Sequence, residues 1–199
     1  MPHSRHIFAL FASAALILVA SCASTKTETA GTPLKQPLCQ AAAAPVATAI
    51  YWAPQWRPNQ KEPPRREAAA LRGIQDFVGH TGCLAVTSLQ RLPAEAVPPS
   101  NEELLRLAAA SNPKPERVVL IVVRELGPRL VIGLPVIVEG GTEVLVDVRV
   151  LDPRTSESLS DAQTLWRNGG KFVIKGVKTL ERDMSSALSA ALMPAIEAK

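Results

Sequence analysis

With 199 residues, 47% of them hydrophobic, the chain carries enough apolar material to build the core of one domain of ordinary size. Its 22 Lys+Arg against 18 Asp+Glu leave a formal charge of +4. These basic residues are scattered, and the densest group, Lys61 with Arg65 and Arg66, is broken by Glu62, Glu67 and two prolines. A nucleic-acid surface needs a denser stripe, so no nucleic-acid partner is expected.

A basic start (His3, Arg5, His6) leads into an apolar run over residues 7–20, shorter than the roughly 20 residues of a comfortable membrane span. The run closes on Val19-Ala20-Ser21-Cys22. These four residues resemble a lipoprotein signal-peptidase site, with a small residue just before the cysteine that is to be acylated. Residues 1–21 are therefore expected to be a signal peptide and Cys22 the lipidated first residue of the mature protein. An uncleaved anchor, or an ordinary secretory signal in which Cys22 is incidental, is the competing reading. The resemblance implies three acyl chains on Cys22. At about 0.8 kcal/mol per buried methylene, these exceed the two signals that stable membrane attachment requires. Ala23 after the cysteine, rather than an aspartate, resembles the outer-membrane sorting pattern of enteric bacteria. The expected location is thus the periplasmic face of the outer membrane, with the outer leaflet of the inner membrane or the cell surface as alternatives.

Residues 22–38, rich in Thr, Ala, Lys, Gly and Pro and without apolar periodicity, are expected to be a flexible tether. A single domain should then occupy residues 39–199. Once Cys22 is assigned to lipid, Cys39 and Cys83 remain, in a compartment where disulfides persist. They are expected to pair, closing a loop of about 45 residues for roughly 4 kcal/mol in the chain-entropy model. Two unpaired buried thiols are the alternative. No metal site is expected, because His80 is the only histidine after the leader and there is no Cys-x-x-Cys spacing.

Residues 46–52, Val-Ala-Thr-Ala-Ile-Tyr-Trp, read as a first strand, followed by prolines at 54, 58, 63 and 64 that forbid regular structure until about Arg65. From there Ala70, Leu71, Ile74, Phe77 and Val78 recur at helical spacing, with Gly79 as the expected stop. Residues 83–89 read as a second strand, and Ser100 with Glu103 makes a capping box for a helix running to about Ala110. Residues 117–126 form an apolar run between charged ends, as a central strand buried on both faces would. Two further strands are expected over residues 130–138 and 143–151, joined by a tight turn at Gly140-Gly141. In the second of these, Val144, Val146, Val148 and Val150 share one face, while Glu143, Asp147 and Arg149 share the other. A last strand over residues 158–166 should break at Asn168-Gly169-Gly170, before a helix over residues 178–196 that Pro194 frays.

The order strand, helix, strand, helix, four strands, helix predicts an α/β (α+β) fold, a mixed and mainly antiparallel sheet with helices packed on one face. In that order and texture residues 117–192 resemble a recurrent bacterial envelope-lipoprotein domain. The features are the buried strand around Val118 and Val123, the turn Asp152-Pro153-Arg154-Thr155, the tryptophan strand with Trp166, a Gly-Gly break and the helix carrying Asp183-Met184. The domain is similar to those of the curli-secretion lipoprotein, the N-terminal part of the Tol-Pal translocation protein and the lipoprotein activators of peptidoglycan synthases. The resemblance implies protein binding or assembly without catalysis, and it transfers no functional residue.

Chemistry is hard to find. His80 sits at a helix exit where capping or solvation explains it, and Asp147, Asp152 and Asp161 are each explained by a strand face or a turn. No catalytic residue and no cofactor are expected. One segment favours recognition: Tyr51, Trp52, Trp56 and Arg57 place the only tyrosine and two of the three tryptophans within six residues. These aromatics either anchor a protein partner, stack on peptidoglycan sugars, or close the protein's own core. The expectation is a lipid-anchored, non-catalytic envelope accessory protein that binds or assembles other envelope components. A peptidoglycan-binding lipoprotein is the first alternative and an envelope hydrolase the second. The oligomeric state is open.

Overall fold

The computed structural model describes residues 23–40, 43–95, 97–133 and 137–195; the leader and Cys22 lie outside the described residues. Six strands form one sheet: β1 (Ser24–Thr32), β2 (Val46–Pro54), β3 (Leu84–Arg91), β4 (Arg117–Gly133), β5 (Ile137–Asp152) and β6 (Glu157–Lys171). Their lateral order is β1-β6-β5-β4-β2-β3. β2 runs parallel to β3 and β4, and every other pairing is antiparallel. Three helices, α1 (Pro63–Thr81), α2 (Asn101–Ala109) and α3 (Leu180–Leu192), pack on this sheet, so the α/β class is as expected.

The helices do not share one face. From β2 the chain steps outward through α1 to β3, then back across β2 through α2 to β4. Parallel crossovers are right-handed, so two steps in opposite directions deliver their helices to opposite faces. α1 and α3 cover one face, where Ala70, Ile74 and Phe77 of α1 and Met184 and Leu188 of α3 bury Ile50, Trp52, Ile121 and the four alternate valines of β5. On the other face, Leu104 and Ala108 of α2 cover Tyr51, Val118, Leu120 and Val122. This explains why residues 118–123 are buried without alternation.

Several boundaries differ from the sequence reading. Most of the expected tether is strand: β1 pairs along β6, with Ser24 opposite Gly169 and Thr32 opposite Asp161. All nine of its residues are exposed, so it gains its backbone ladder with no apolar pattern to betray it, and Thr25, Thr27 and Thr29 suit an extended chain. Residues 33–40 then leave β1 toward the β2–β3 side of the sheet, where Cys39 meets Cys83. On the way the Leu38 amide donates to the Leu192 carbonyl at 2.8 Å. Cys39 is bonded to Cys83 with their Cα atoms 5.7 Å apart. α1 passes through Gly79 and ends at Gly82, whose φ of 65° supplies the left-handed residue that a helix stop needs. The Ser100 cap is present, its hydroxyl accepting from the Glu103 amide at 3.2 Å.

The glycine pairs are not turns. β4 and β5 run unbroken through Gly127 and Gly140-Gly141, so the chain does not reverse at the glycine pair, and β6 runs through Gly169-Gly170. Gly140 lies opposite Gly170, and Gly141 opposite Gly169. A Cβ on Gly141 would fall 2.7 Å from the Gly169 Cα, so glycine is required by close strand approach.

Candidate functional site

β2 carries Tyr51 and Trp52 of the aromatic segment into the middle of the sheet, and this overturns their reading as partner-binding residues. Tyr51 is 1% exposed and Trp52 2% exposed. Because β2 lies between β3 and β4 with helices on both faces, successive side chains enter opposite cores and neither ring reaches a ligand. Trp56, half-buried, packs against the α1/α3 core with its indole N–H 3.4 Å from the Glu67 carboxylate.

Arg57 is the member of that segment that stays exposed, and its guanidinium is committed to the Glu125 carboxylate. Glu125 is buried and also receives Gln60 at 3.1 Å and Arg66 Nη1 at 3.4 Å. Arg66 reaches it from the first turn of α1 by lying over Gly127, where any Cβ would collide with the guanidinium, and it donates through Nε to the Lys61 carbonyl at 2.7 Å. The cluster ties the proline-rich loop over residues 55–62 to the middle of β4. A buried carboxylate so fully partnered is a brace for that loop rather than a free recognition group.

The open polar surface of the sheet is the half of the α2-side face that α2 leaves uncovered. There the strand alternation that buries Val144, Val146, Val148 and Val150 turns Asp147 and Arg149 of β5 outward, beside Asp161 and Gln163 of β6 and Arg124 of β4. These residues line a groove of about 410 Å³, walled by Ala30 and Gly31 of β1 and by Pro98 ahead of α2. Asp147 binds Arg124 at 2.6 Å and accepts from Gln163 at 2.7 Å. Arg149 pairs with Asp161 at 3.2 Å and donates to the Pro99 carbonyl and the Asn101 side chain at 3.1 Å each. Toward the other end Arg167 pairs with Glu143 at 2.7 Å and reaches Glu28 on β1 at 3.9 Å. Exposed pairs of this kind contribute only about 0–1 kcal/mol of stability. Their effect is to hold donors and acceptors of both signs in fixed positions, which favours register and specificity in recognition. The polar face of β5 continues onto β6, where the same period of two in Asp161, Gln163 and Arg167 is the sequence signal for it.

Two candidate acids of the hydrolase alternative, Asp147 and Asp161, are therefore ion-paired in this groove. Asp152 is held below the ordinary carboxylate range, first by the Arg154 backbone N–H, which donates at 2.9 Å, and further by the guanidinium groups of Arg154 and Arg117. A general acid needs the opposite shift. His80 lies exposed in the last turn of α1, with Nδ1 2.8 Å from the Asp76 carbonyl oxygen. Among the described residues no group of three or more His, Cys, Asp and Glu side chains is arranged to hold a metal ion.

No family model matches the chain, and no curated protein matches it. Solved structures similar to it include the PelC dodecamer from Paraburkholderia phytofirmans, at 14% identity and a TM-score of 0.44 over 86% of this chain and 100% of that one. Lipoprotein GNA1162 from Neisseria meningitidis is 12% identical with a TM-score of 0.38, over 73% of this chain and 97% of that one. Protein XCC0632 from Xanthomonas campestris is 11% identical with a TM-score of 0.37, over 80% of this chain and 87% of that one.

Proposed function

We propose that this protein is a lipid-anchored accessory of a bacterial cell envelope, that it binds or assembles other envelope proteins through the open half of its sheet, and that it acts without catalysis. The observation that carries the reading is the pre-ordered polar groove beside β1, an edge strand exposed along its whole length. An edge of this kind accepts a partner strand through its backbone groups, while the neighbouring Asp161, Gln163 and Arg124 select which partner fits. The anchor reading comes from the Val19-Ala20-Ser21-Cys22 pattern, and no helix among the described residues is long and apolar enough to cross a membrane. The outer membrane, periplasmic side, is the proposed location, in keeping with Ala23 and with the envelope-lipoprotein texture of residues 117–192. Glycan stacking by Tyr51 and Trp52 has no place in the proposal, since both rings are in the core.

The test is capture of the anchored protein from detergent-solubilised envelopes, comparing the native chain with Asp161→Lys/Gln163→Lys. The proposal expects a defined protein partner that the folded double variant loses. The same partners on both forms, or none on either, would contradict it.

A further inference from the structure

The far end of the sheet carries an apolar surface that the groove does not use. Beyond the end of β6 at Lys171, β4 and β5 continue as a two-stranded arm, with Ile132 opposite Val138 and Gly133 opposite Ile137. On this arm Ile132 is 68% exposed, at its root Leu130 is 58% and Val131 42% exposed, and beside it Phe172 is 69% and Ile174 83% exposed. The two parts adjoin, since the Phe172 amide donates to the Val138 carbonyl at 2.7 Å. A Cβ on Gly140 would meet both the Val173 carbonyl and the Leu130 side chain, so these two lie over the same side of β5. Exposed Lys171 stands at the root of the arm, opposite Glu139 of β5. Large apolar side chains exposed together at one end of a sheet, with a lysine among them, are a recognised signature of a docking or membrane surface.

The strand register fixes where this patch lies relative to the anchor. Ser24 is opposite Gly169, Gly169 opposite Gly141, and Gly141 opposite Arg129. β1 runs antiparallel to β6, so the chain leading back toward Cys22 leaves the sheet at the end from which the arm projects. Ile132 stands three residues past Arg129, about 10 Å further out at the rise of a strand. Cys22 is two residues before Ser24 and reaches at most about 7 Å in the same direction. Acyl chains on Cys22 would therefore begin no further out than the apolar arm.

We propose that the arm of β4 and β5, with Phe172 and Ile174, is a second membrane contact that seats its apolar side chains in the leaflet holding the acyl chains of Cys22. The contact is shallow. The outer edges of a two-stranded arm leave backbone groups that need water or headgroup partners, which confines them to the interfacial layer. Lys171, at the root of the arm, then lies at the level of the phosphates, where anionic lipid favours it. With the anchor and the arm both engaged, the protein has a fixed tilt on the membrane, and the groove keeps one orientation toward its partner.

The proposal rests on acylation of Cys22, so the experiment reads the two separately. Ile132→Cys and, as the control at the opposite end of the sheet, Thr155→Cys are each labelled with a thiol-specific fluorophore. The introduced cysteine is the free thiol when Cys22 is acylated and Cys39 is bonded to Cys83. The anchored proteins are reconstituted in vesicles of phosphatidylethanolamine with a minority of phosphatidylglycerol, with and without bromine in the acyl chains, and Cys22 acylation is scored by the mass of the N-terminal peptide. The proposal expects quenching several-fold stronger at position 132 than at 155, and the same for a label at Phe172→Cys. An acylated Cys22 with equal, weak quenching at all three positions overturns the membrane contact alone. Weak quenching accompanied by self-association or by a bound protein over the patch also overturns it, in favour of that occupant. An unmodified Cys22 overturns the anchor reading, and with it this proposal.

Discussion

Replacing Cys39 and Cys83 by alanine tests how the fold is held at its β2–β3 edge. The bond closes a loop of sequence separation 44 that contains β2 and α1, so it constrains a complete strand-helix unit in the unfolded chain. The chain-entropy relation for a loop of that length gives about 4 kcal/mol at 25 °C. Alanine is the right replacement because both cysteines are buried, and a serine hydroxyl there would need a partner. A loss of about 4 kcal/mol is a large share of the 5–15 kcal/mol that is typical of a domain. Urea unfolding followed by tryptophan fluorescence reads it, since Trp52 and Trp166 are buried and report loss of the core. The urea dependence of the unfolding free energy should also steepen, because an unlinked unfolded chain exposes more surface. A loss under about 1 kcal/mol with an unchanged slope would refute the argument.

The remaining predictions concern packing and pH. At Gly73 an added Cβ would meet the Met184 Cβ at 2.5 Å and the Glu181 carbonyl at 2.7 Å. Gly73→Ala should therefore push α3 away from α1 and cost about 1–3 kcal/mol in urea melts despite the better helix propensity of alanine; a more stable variant would refute the contact. Trp52→Ala should cost about 3–5 kcal/mol in the same assay and half-buried Trp56→Ala clearly less, and an inverted order would contradict their placement. The Asp152 carboxyl titrates lower in the folded than in the unfolded protein. Its contribution is therefore complete above the unfolded value of about 3.9 and is lost as pH falls through the lower folded one. The stability gap between the native chain and Asp152→Asn should accordingly shrink on acidification below about pH 4, and a gap that stays constant down to about pH 2 would contradict the hydrogen bonding described for that turn.

Much of this fold was legible in the sequence. The valine alternation of β5 and the helical spacing of Leu180, Met184, Ala187 and Leu188 name their buried faces directly, because burial on one side imposes the period of the element. β1 was illegible for the converse reason: a wholly exposed edge strand has no buried side to leave a pattern. The glycine pairs misled because glycine serves equally where the chain turns and where two strands press together, and only the register distinguishes the two uses. Tyr51 and Trp52 misled because a central strand covered on both faces places consecutive large side chains inside, which in sequence looks the same as an aromatic binding loop. The groove was half legible, since Asp147 and Arg149 showed a polar face whose continuation onto β6 depends on strand pairing.

The most direct test of the central claim is crosslinking in living cells from a photoreactive residue at Gln163, in the floor of the groove, with Thr155 at the opposite end of the sheet as the control. If the open half of the sheet is the working surface, position 163 gives a discrete adduct with an envelope protein and position 155 does not. A protein that is correctly anchored and folded, yet gives no adduct from position 163 or the same adducts from both positions, would contradict the account.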